Sequence, residues 1–374
     1  MQYLFPQYYK KFKCTGSACP STCCAGWKIQ IDPASLKKYR KMPGAFGSRL
    51  RNEIDWENGC FRQYGGKCTL LNEEGLCDLY LEGGGEGALC RACHIFPRHV
   101  EEFQGVREYS LSLSCPEAAE LILSGQAPAK LLKTRRPGTP EKYPEFDSDL
   151  FRTLRAARRL MFRLLQNRQK PWRLRAAVVL ALAHDLQQRL DRHAEAAAGE
   201  LFRRYSSPGV WDWFAVRLER ERPGRRAGMP NSLMEILKEL KPLRESWEPY
   251  LQNAQNSLQQ EPAPEEKKEL EMLFTDTMAE QLMVYFLYVY FCGAVYDRKA
   301  YGKVKFAAAS TVIIRELLRA GWRQSLGRLP EHAAAVTACR YARETEHLDE
   351  NLNRMESMLE DENRFSLKQF MGIL

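Results

Sequence analysis

No G-x-G-x-x-G spacing follows a clean strand pattern anywhere in the 374 residues, which removes the standard Rossmann fingerprint for a nucleotide or methyl donor. The nearest stretch, Gly83-Gly84-Gly85-Glu86-Gly87, reads as a flexible surface loop. No internal repeat of fixed period and no long low-complexity tract is present, which excludes a repeat architecture. No apolar run reaches the ~20 residues that span a bilayer. The longest, Leu282 to Tyr296, carries four tyrosines and predicts a buried central helix. Met1-Gln2-Tyr3-Leu4-Phe5-Pro6 leads straight into Lys10-Lys11-Phe12-Lys13 without the apolar stretch of an export signal, so the reducing cytoplasm is the expected compartment.

What is present in quantity is cysteine. Ten of the twelve cysteines fall between Cys14 and Cys115, and only Cys292 and Cys339 lie beyond. Thiols gathered this densely either form disulfide staples or bind a soft metal. A chain this long buries a large core without staples, and structural disulfides are rare in the cytosol. Metal is therefore the expectation, and spacing alone does not separate zinc from iron–sulfur, since both take four thiolates. Cys19 and Cys23, four apart, would share one helical face, with Pro20 in the first turn. Cys90-Arg91-Ala92-Cys93 has the spacing of a tight turn that presents two thiolates. Cys68 and Cys77 bracket a predicted strand–turn–strand knuckle.

Beyond this pattern lies a resemblance. Cys14-Thr15-Gly16-Ser17-Ala18-Cys19, Cys23-Cys24-Ala25-Gly26-Trp27, Gly75-Leu76-Cys77, Cys93-His94-Ile95-Phe96-Pro97-Arg98 and Ser110-Leu111-Ser112-Leu113-Ser114-Cys115-Pro116-Glu117-Ala118 together resemble the flagellin lysine-N-methylase (FliB) family. A more distant likeness is to small zinc- or iron-chelating cysteine domains. The ordered motifs cover about the first third of the chain; the helical remainder is similar in character only. The resemblance implies S-adenosylmethionine-dependent methylation of lysine ε-amines on flagellin. It also implies a 4Fe–4S cluster held by the cysteine motif. Cys14, Cys19, Cys23, Cys24, Cys68, Cys77, Cys93 and Cys115 fit the family pattern as metal ligands, whereas Cys60 and Cys90 fit it less well. The C-x3-C-x2-C run of radical enzymes is absent, so a radical route would use an atypical ligand set.

The remainder reads as follows. Residues 1–13 mix aromatics with lysines and are expected to pack on the cysteine domain. Trp27 to Ile31 alternates like a half-buried strand, and Asp32-Pro33 caps a helix running to about Met42. Arg107 to Ser114 alternates again, so Cys115 falls at a strand-to-helix junction. Prolines and basic residues, Lys142 among them, mark 127–148 as a linker. From Asp149 an apolar stripe of helical period begins, with Arg152, Arg155, Arg158, Arg159 and Arg163 on the other positions. His184 reads as a satisfied boundary histidine and Cys292 as a small core residue. Arg222-Pro223-Gly224-Arg225-Arg226 ends a polar stretch, Asn231-Ser232 caps a short helix, and Glu261 to Glu266 is a charged loop before further helices.

The fold class expected is mainly α. A small α+β cysteine-rich metal-binding domain (1–126) and a Pro/basic linker (127–148) precede an all-α domain (149–374). The net charge of +9 alone does not make nucleic acid a partner, and a solvated amphipathic face is the commoner reading of the arginine-rich helix. Its basic side leaves a peripheral membrane contact open. Flagellin is the implied protein substrate. The alternative is a zinc-stabilised module presenting the basic helices to nucleic acid or an acidic partner.

Overall fold

Asp32 and Pro33 open the first α-helix as their chemistry dictates. In the computed structural model, which describes residues 1–19, 21–141, 143–221, 229–259 and 264–374, the Asp32 carboxylate accepts from Ser35 N at 3.0 Å. Pro33 then takes the first position of α1 (Pro33–Arg40). Gly44, at φ +78°, starts α2 (Gly44–Asn52), where the sequence showed only a loose pattern.

Trp27 to Ile31 keeps its alternation, with Ile29 and Ile31 buried and Lys28 and Gln30 exposed. It is not a strand, however. Only Gln30 bridges, to Cys60 of the two-residue β3 (Cys60–Phe61), whose other edge pairs with β2 (Ile54–Asp55). A hairpin of β4 (Gln63–Tyr64) and β5 (Lys67–Cys68) turns at Gly65-Gly66. The knuckle before Cys77 forms as a bridge between Leu71 and Cys77. Asn72 Oδ1 closes it by accepting from Glu74 N at 3.1 Å and Leu76 N at 2.9 Å. Two short helices, α3 (Asp78–Leu81) and α4 (Arg91–Ile95), complete this layer.

A four-stranded sheet stands beside it, in the order β6 (Arg98–Phe103), β7 (Val106–Leu111), β1 (Gln2–Pro6), β8 (Leu131–Arg135). β1 runs parallel to β7, with Leu4 opposite Glu108, and antiparallel to β8. The proline-rich stretch thus carries a strand of its own. α5 (Pro116–Leu123) follows β7, with Cys115 at its N-cap.

The rest is helical: α6 (Ser148–Leu165), α7 (Trp172–Leu190), α8 (Ala198–Tyr205), α9 (Gly209–Glu221), α10 (Met229–Lys238), α11 (Trp247–Leu258) and α12 (Pro264–Leu273). There follow α13 (Asp276–Tyr290), α14 (Ala294–Asp297), α15 (Ala300–Gln324), α16 (Ala333–Thr345), α17 (Asp349–Leu359), α18 (Glu362–Phe365) and α19 (Leu367–Ile373). α10 begins ahead of the Asn231-Ser232 cap expected for it. α15 is the central helix, packed against α7, α11, α13, α16 and α17. The segment 276–297 is long and apolar enough to cross a membrane by composition, and 78% of its most apolar window is buried inside the protein. Lys142, the basic turn at 222–226 and Glu261-Pro262-Ala263 lie outside the described residues.

One apolar core joins sheet and helices: Leu4, Phe103, Val106 and Leu113 pack in the same cluster as α6, α7, α13 and α15. The cysteine layer has a separate core around Ile29, Tyr39, Leu50 and Cys90. Arg158 corrects the sequence pattern. It is not on the solvated face of α6 but buried, donating to Glu108 Oε2 at 2.7 Å and Oε1 at 2.5 Å, and to the Tyr288 carbonyl at 3.0 Å.

Candidate active site at the junction of the cysteine layer and the helices

All twelve cysteines are free thiols. Cys14 is exposed, and its Sγ accepts from Gly16 N at 3.4 Å. Cys19 does not share a helical turn with Cys23. A single 3₁₀ turn, Gly16–Ala18, ends in extended backbone at Cys19, and Pro20 lies outside the described residues. Cys23 and Cys24 sit half-buried in a turn that Cys68 N ties to β5 through the Cys24 carbonyl at 2.7 Å. Cys77 precedes α3, Cys93 lies within α4, and buried Cys115 caps α5.

The thiols form two neighbourhoods that meet at the Cys23–Cys24 pair. Burial raises Cys115 to about 11, and the charges of Cys19 and Cys14 press the same way, while the Ala118 and Glu117 amides at the start of α5 draw it down. The charges of Cys14 and Cys115 also act on Cys23. The other neighbourhood gathers Cys24, Cys68, Cys77, Cys90 and Cys93 around one apolar core. Burial pushes Cys68 up to about 12, with Cys24, Cys77 and Cys90 adding to it. Adjacent thiols share protons: hydrogen bonding draws Cys24 and Cys90 down and pushes Cys23 and Cys93 up. Cys90, which fits the family pattern less well but is spaced to pair with Cys93, therefore stands among the others. Cys60 lies in β3, opposite Asp55.

Among the described residues, no three His, Cys, Asp or Glu side chains converge as a ready metal cage. The donor set nevertheless suits a soft metal. These thiols are unpaired, crowded and mutually repelling, so ionising them together needs a cation among them. The helical side supplies positive charge. Arg343 of α16, only 4% exposed, donates to the Ser114 carbonyl at 2.8 Å and to Ser21 Oγ and O at 2.5 Å each. Gly26, at φ +84°, leaves the space that the Arg244 guanidinium fills. Cys339, which looked isolated in sequence, is buried and donates to the same Ser114 carbonyl at 3.1 Å.

The turn after α16 completes the junction. The His347 ring stacks on Trp27 at 5.0 Å and 8°, with Phe96 6.0 Å from both. Trp27 Nε1 in turn donates to the Cys23 carbonyl at 2.7 Å. Burial, with Arg343 and Arg244 nearby, lowers His347 to about 4 and keeps it neutral. Glu346 accepts from the Tyr285 and Tyr290 hydroxyls at 2.8 and 2.6 Å. Tyr285 Oη also accepts from Leu113 N at 3.0 Å. None of Arg343, Glu346 and His347 carries a local sequence signal, because their partners lie far off in the chain.

A concavity of about 510 Å³ opens away from this junction, between α7, α8, α9 and α19, and is lined by His184, Asp185, Tyr205, Trp213, Arg217 and Met371. Asp185 there is already occupied by Tyr205 Oη at 2.9 Å, by Arg204 and by His184 Nδ1 at 3.2 Å. His184 is thus a partnered boundary residue.

Residues 158–373 match the family described as the FliB lysine N-methylase C-terminal domain. A flagellar biosynthetic protein FliU of Salmonella muenchen is 33% identical over 128 residues, covering 32% of this chain and 75% of that protein. A lysine-N-methylase of Salmonella typhimurium strain LT2 is 32% identical over 128 residues, covering 32% of each chain. A lysine-N-methylase of Salmonella choleraesuis strain SC-B67 is similar to the same extent. The match thus spans about a third of the length of these two methylases. No solved structure matches.

Proposed function

The chain belongs to the FliB lysine N-methylase family, a class of protein-lysine methyltransferases, and from that premise we propose that it methylates lysine ε-amines on a flagellin-type substrate. The methyl donor in this reading is S-adenosylmethionine, and the cysteine layer holds a 4Fe–4S cluster. The observation that carries it is the clamp at the junction. Arg343, inside the family-matched span, grips both Ser21, between Cys19 and Cys23, and the turn before Cys115. The flagellar name of one relative supports a flagellar substrate. A cytoplasmic site of action completes this reading, since thiolate ligands stay reduced there.

Cys14, Cys19, Cys23, Cys24, Cys68, Cys77, Cys93 and Cys115 are the ligands in this reading, and Cys90 joins them by position. Bound there, an iron–sulfur cluster supplies electron exchange, whereas zinc would supply rigidity alone. The chain's own part in methyl transfer is to hold the lysine amine in line, take its proton and exclude water. The junction offers buried hydroxyls, a carboxylate and an aromatic wall for this.

The test uses protein purified without oxygen. Iron, acid-labile sulfide and zinc are measured per chain, and flagellin is then incubated with it and S-adenosylmethionine. Matched iron and sulfide together with methyl-sized mass increments on flagellin lysines are expected. A colourless zinc protein that leaves flagellin unmodified would sink the reading in favour of the zinc-stabilised module.

A further inference from the structure

Glu346 stands out among the acidic residues of the junction. Its Oε2 is held by two tyrosine hydroxyls, yet its Oε1 is buried and has no hydrogen-bond partner among the described residues. A carboxylate oxygen in that position is an acceptor waiting for a donor. Glu346, Tyr290, His347 and Phe96 are each partly exposed and His99 is exposed, so the junction lies at the surface, with Oε1 itself covered and reached only when these side chains shift.

We propose that Glu346 is the docking carboxylate for the substrate's lysine ε-amine, with Tyr285 and Tyr290 as the residues that position it. This deepens the methylase reading and rests on it. An ammonium donating to Oε1 would satisfy the orphaned oxygen with a charge-assisted hydrogen bond. His347, the residue after Glu346, joins Trp27 and Phe96 in a wall of rings of the kind that suits an aliphatic stem ending in a cation. His347 is kept neutral, so its imidazole does not repel that cation. The arrangement reaches the Cys23 carbonyl through Trp27 Nε1 and the turn before Cys115 through Leu113 N.

Protonation agrees with the geometry. Burial raises the Glu346 carboxyl to about 7, against the pull of the Tyr290 and Tyr285 hydroxyls and of His99. The titratable groups facing it are Tyr285 and Tyr290 from α13, Tyr341 from α16, and His99 from β6, which is itself held by Glu101 at 2.7 Å. A carboxyl poised near neutrality accepts a proton more readily than an ordinary glutamate. One proton passes from the lysine ammonium to Glu346. The freed nitrogen lone pair then forms a bond to the methyl carbon of a sulfonium donor. The carbon–sulfur bond breaks with its electron pair going to sulfur, which leaves as a neutral thioether. The product nitrogen keeps its two remaining hydrogens and carries the positive charge.

The experiment compares the affinity of the holoenzyme for unmodified flagellin and for flagellin whose lysines have been acetylated, by calorimetry from about pH 6 to about pH 8. Wild type is expected to prefer the unmodified protein by about tenfold or more, with the preference growing as pH rises through neutrality and Glu346 ionises. E346Q is expected to bind both forms equally while keeping its metal content and circular dichroism. The fold should tolerate that change, since it removes a charge that burial disfavours and leaves an acceptor for both tyrosines. Y290F keeps the carboxylate but removes one donor, so its preference should persist with a midpoint shifted to higher pH. A wild type without preference, an E346Q that retains it, or a Y290F with an unmoved midpoint would overturn the assignment. Methyl transfer is scored separately by mass. A wild type that selects free lysines but transfers no methyl would sink the methylase reading and leave the docking role standing.

Discussion

Arg343 Nε donates at 2.8 Å to the carbonyl of Ser114, the residue directly before Cys115. The same guanidinium reaches Ser21, between Cys19 and Cys23, so one buried side chain spans two cysteine-bearing segments. Its hydrogen bonds there go to neutral oxygens. R343A leaves both Ser21 oxygens without this donor and the Ser114 carbonyl with only the weak Cys339 thiol, and is expected to cost about 2–4 kcal/mol of stability. R343K keeps the charge but loses the fork, and should fall between. Urea unfolding followed by tryptophan fluorescence checks the order, and metal content per chain should fall in parallel.

The Glu108–Arg158 pair fixes the sheet to α6 from within, each side chain 4% exposed. Removing one charge strands the other in a low dielectric. E108Q is expected to destabilise by about 3–5 kcal/mol, whereas the double change E108L/R158M should recover most of that loss. Thermal unfolding of the three proteins decides it. Equal losses in single and double variants would mean that the pair acts through packing alone.

Acid should weaken the junction through His347. Its folded value is depressed to about 4 from an ordinary 6.5, so the unfolded chain binds the proton more readily. The stability that neutral His347 contributes is complete above about pH 6.5 and is lost as pH falls toward 4, by up to about 3 kcal/mol. H347F keeps a ring on Trp27 without the titration. Its unfolding temperature is expected to fall less than that of wild type between these pH values.

Thiols should divide by position. C115S and C68S, one from each neighbourhood, are each expected to lower metal per chain. C292S should not, because Cys292 is buried in the helical core beside Arg158. Stripping metal with a chelator should lower the unfolding temperature of wild type and leave that of an already depleted C115S variant nearly unchanged. Elemental analysis and calorimetry on the same samples read both effects.

Local chemistry was legible where it was self-contained. Asp32 with Pro33, Cys115 with Pro116, and the Asn72 turn announce themselves because cap, ring and side-chain amide act within a few residues. Trp27 to Ile31 shows the limit of such a reading. Its alternation correctly predicts which side chains are buried, but a strand needs a partner edge, and that edge is two residues long. Residues 131–135 fail in the opposite way: Leu131-Leu132-Lys133-Thr134-Arg135 has no clear alternation and becomes a strand only by pairing with β1. Arg158 looked like a solvated helix charge because its counter-charge lies 50 residues away. The Arg343 contacts with Ser21 join residues 322 apart, and no pattern of short period encodes them.

The seating of β1 between β7 and β8 bears on how the chain assembles during synthesis. β1 is made before both of its neighbours, which end at residues 111 and 135, so it waits unpaired while the cysteine layer between them is synthesised. Cys14 through Cys115 have all left the ribosome's catalytic centre before β8 is translated. The arginine that clamps their loops comes more than 200 residues later still. The cysteine layer is thus exposed to whatever metal the cell delivers well before the helices that close over it exist.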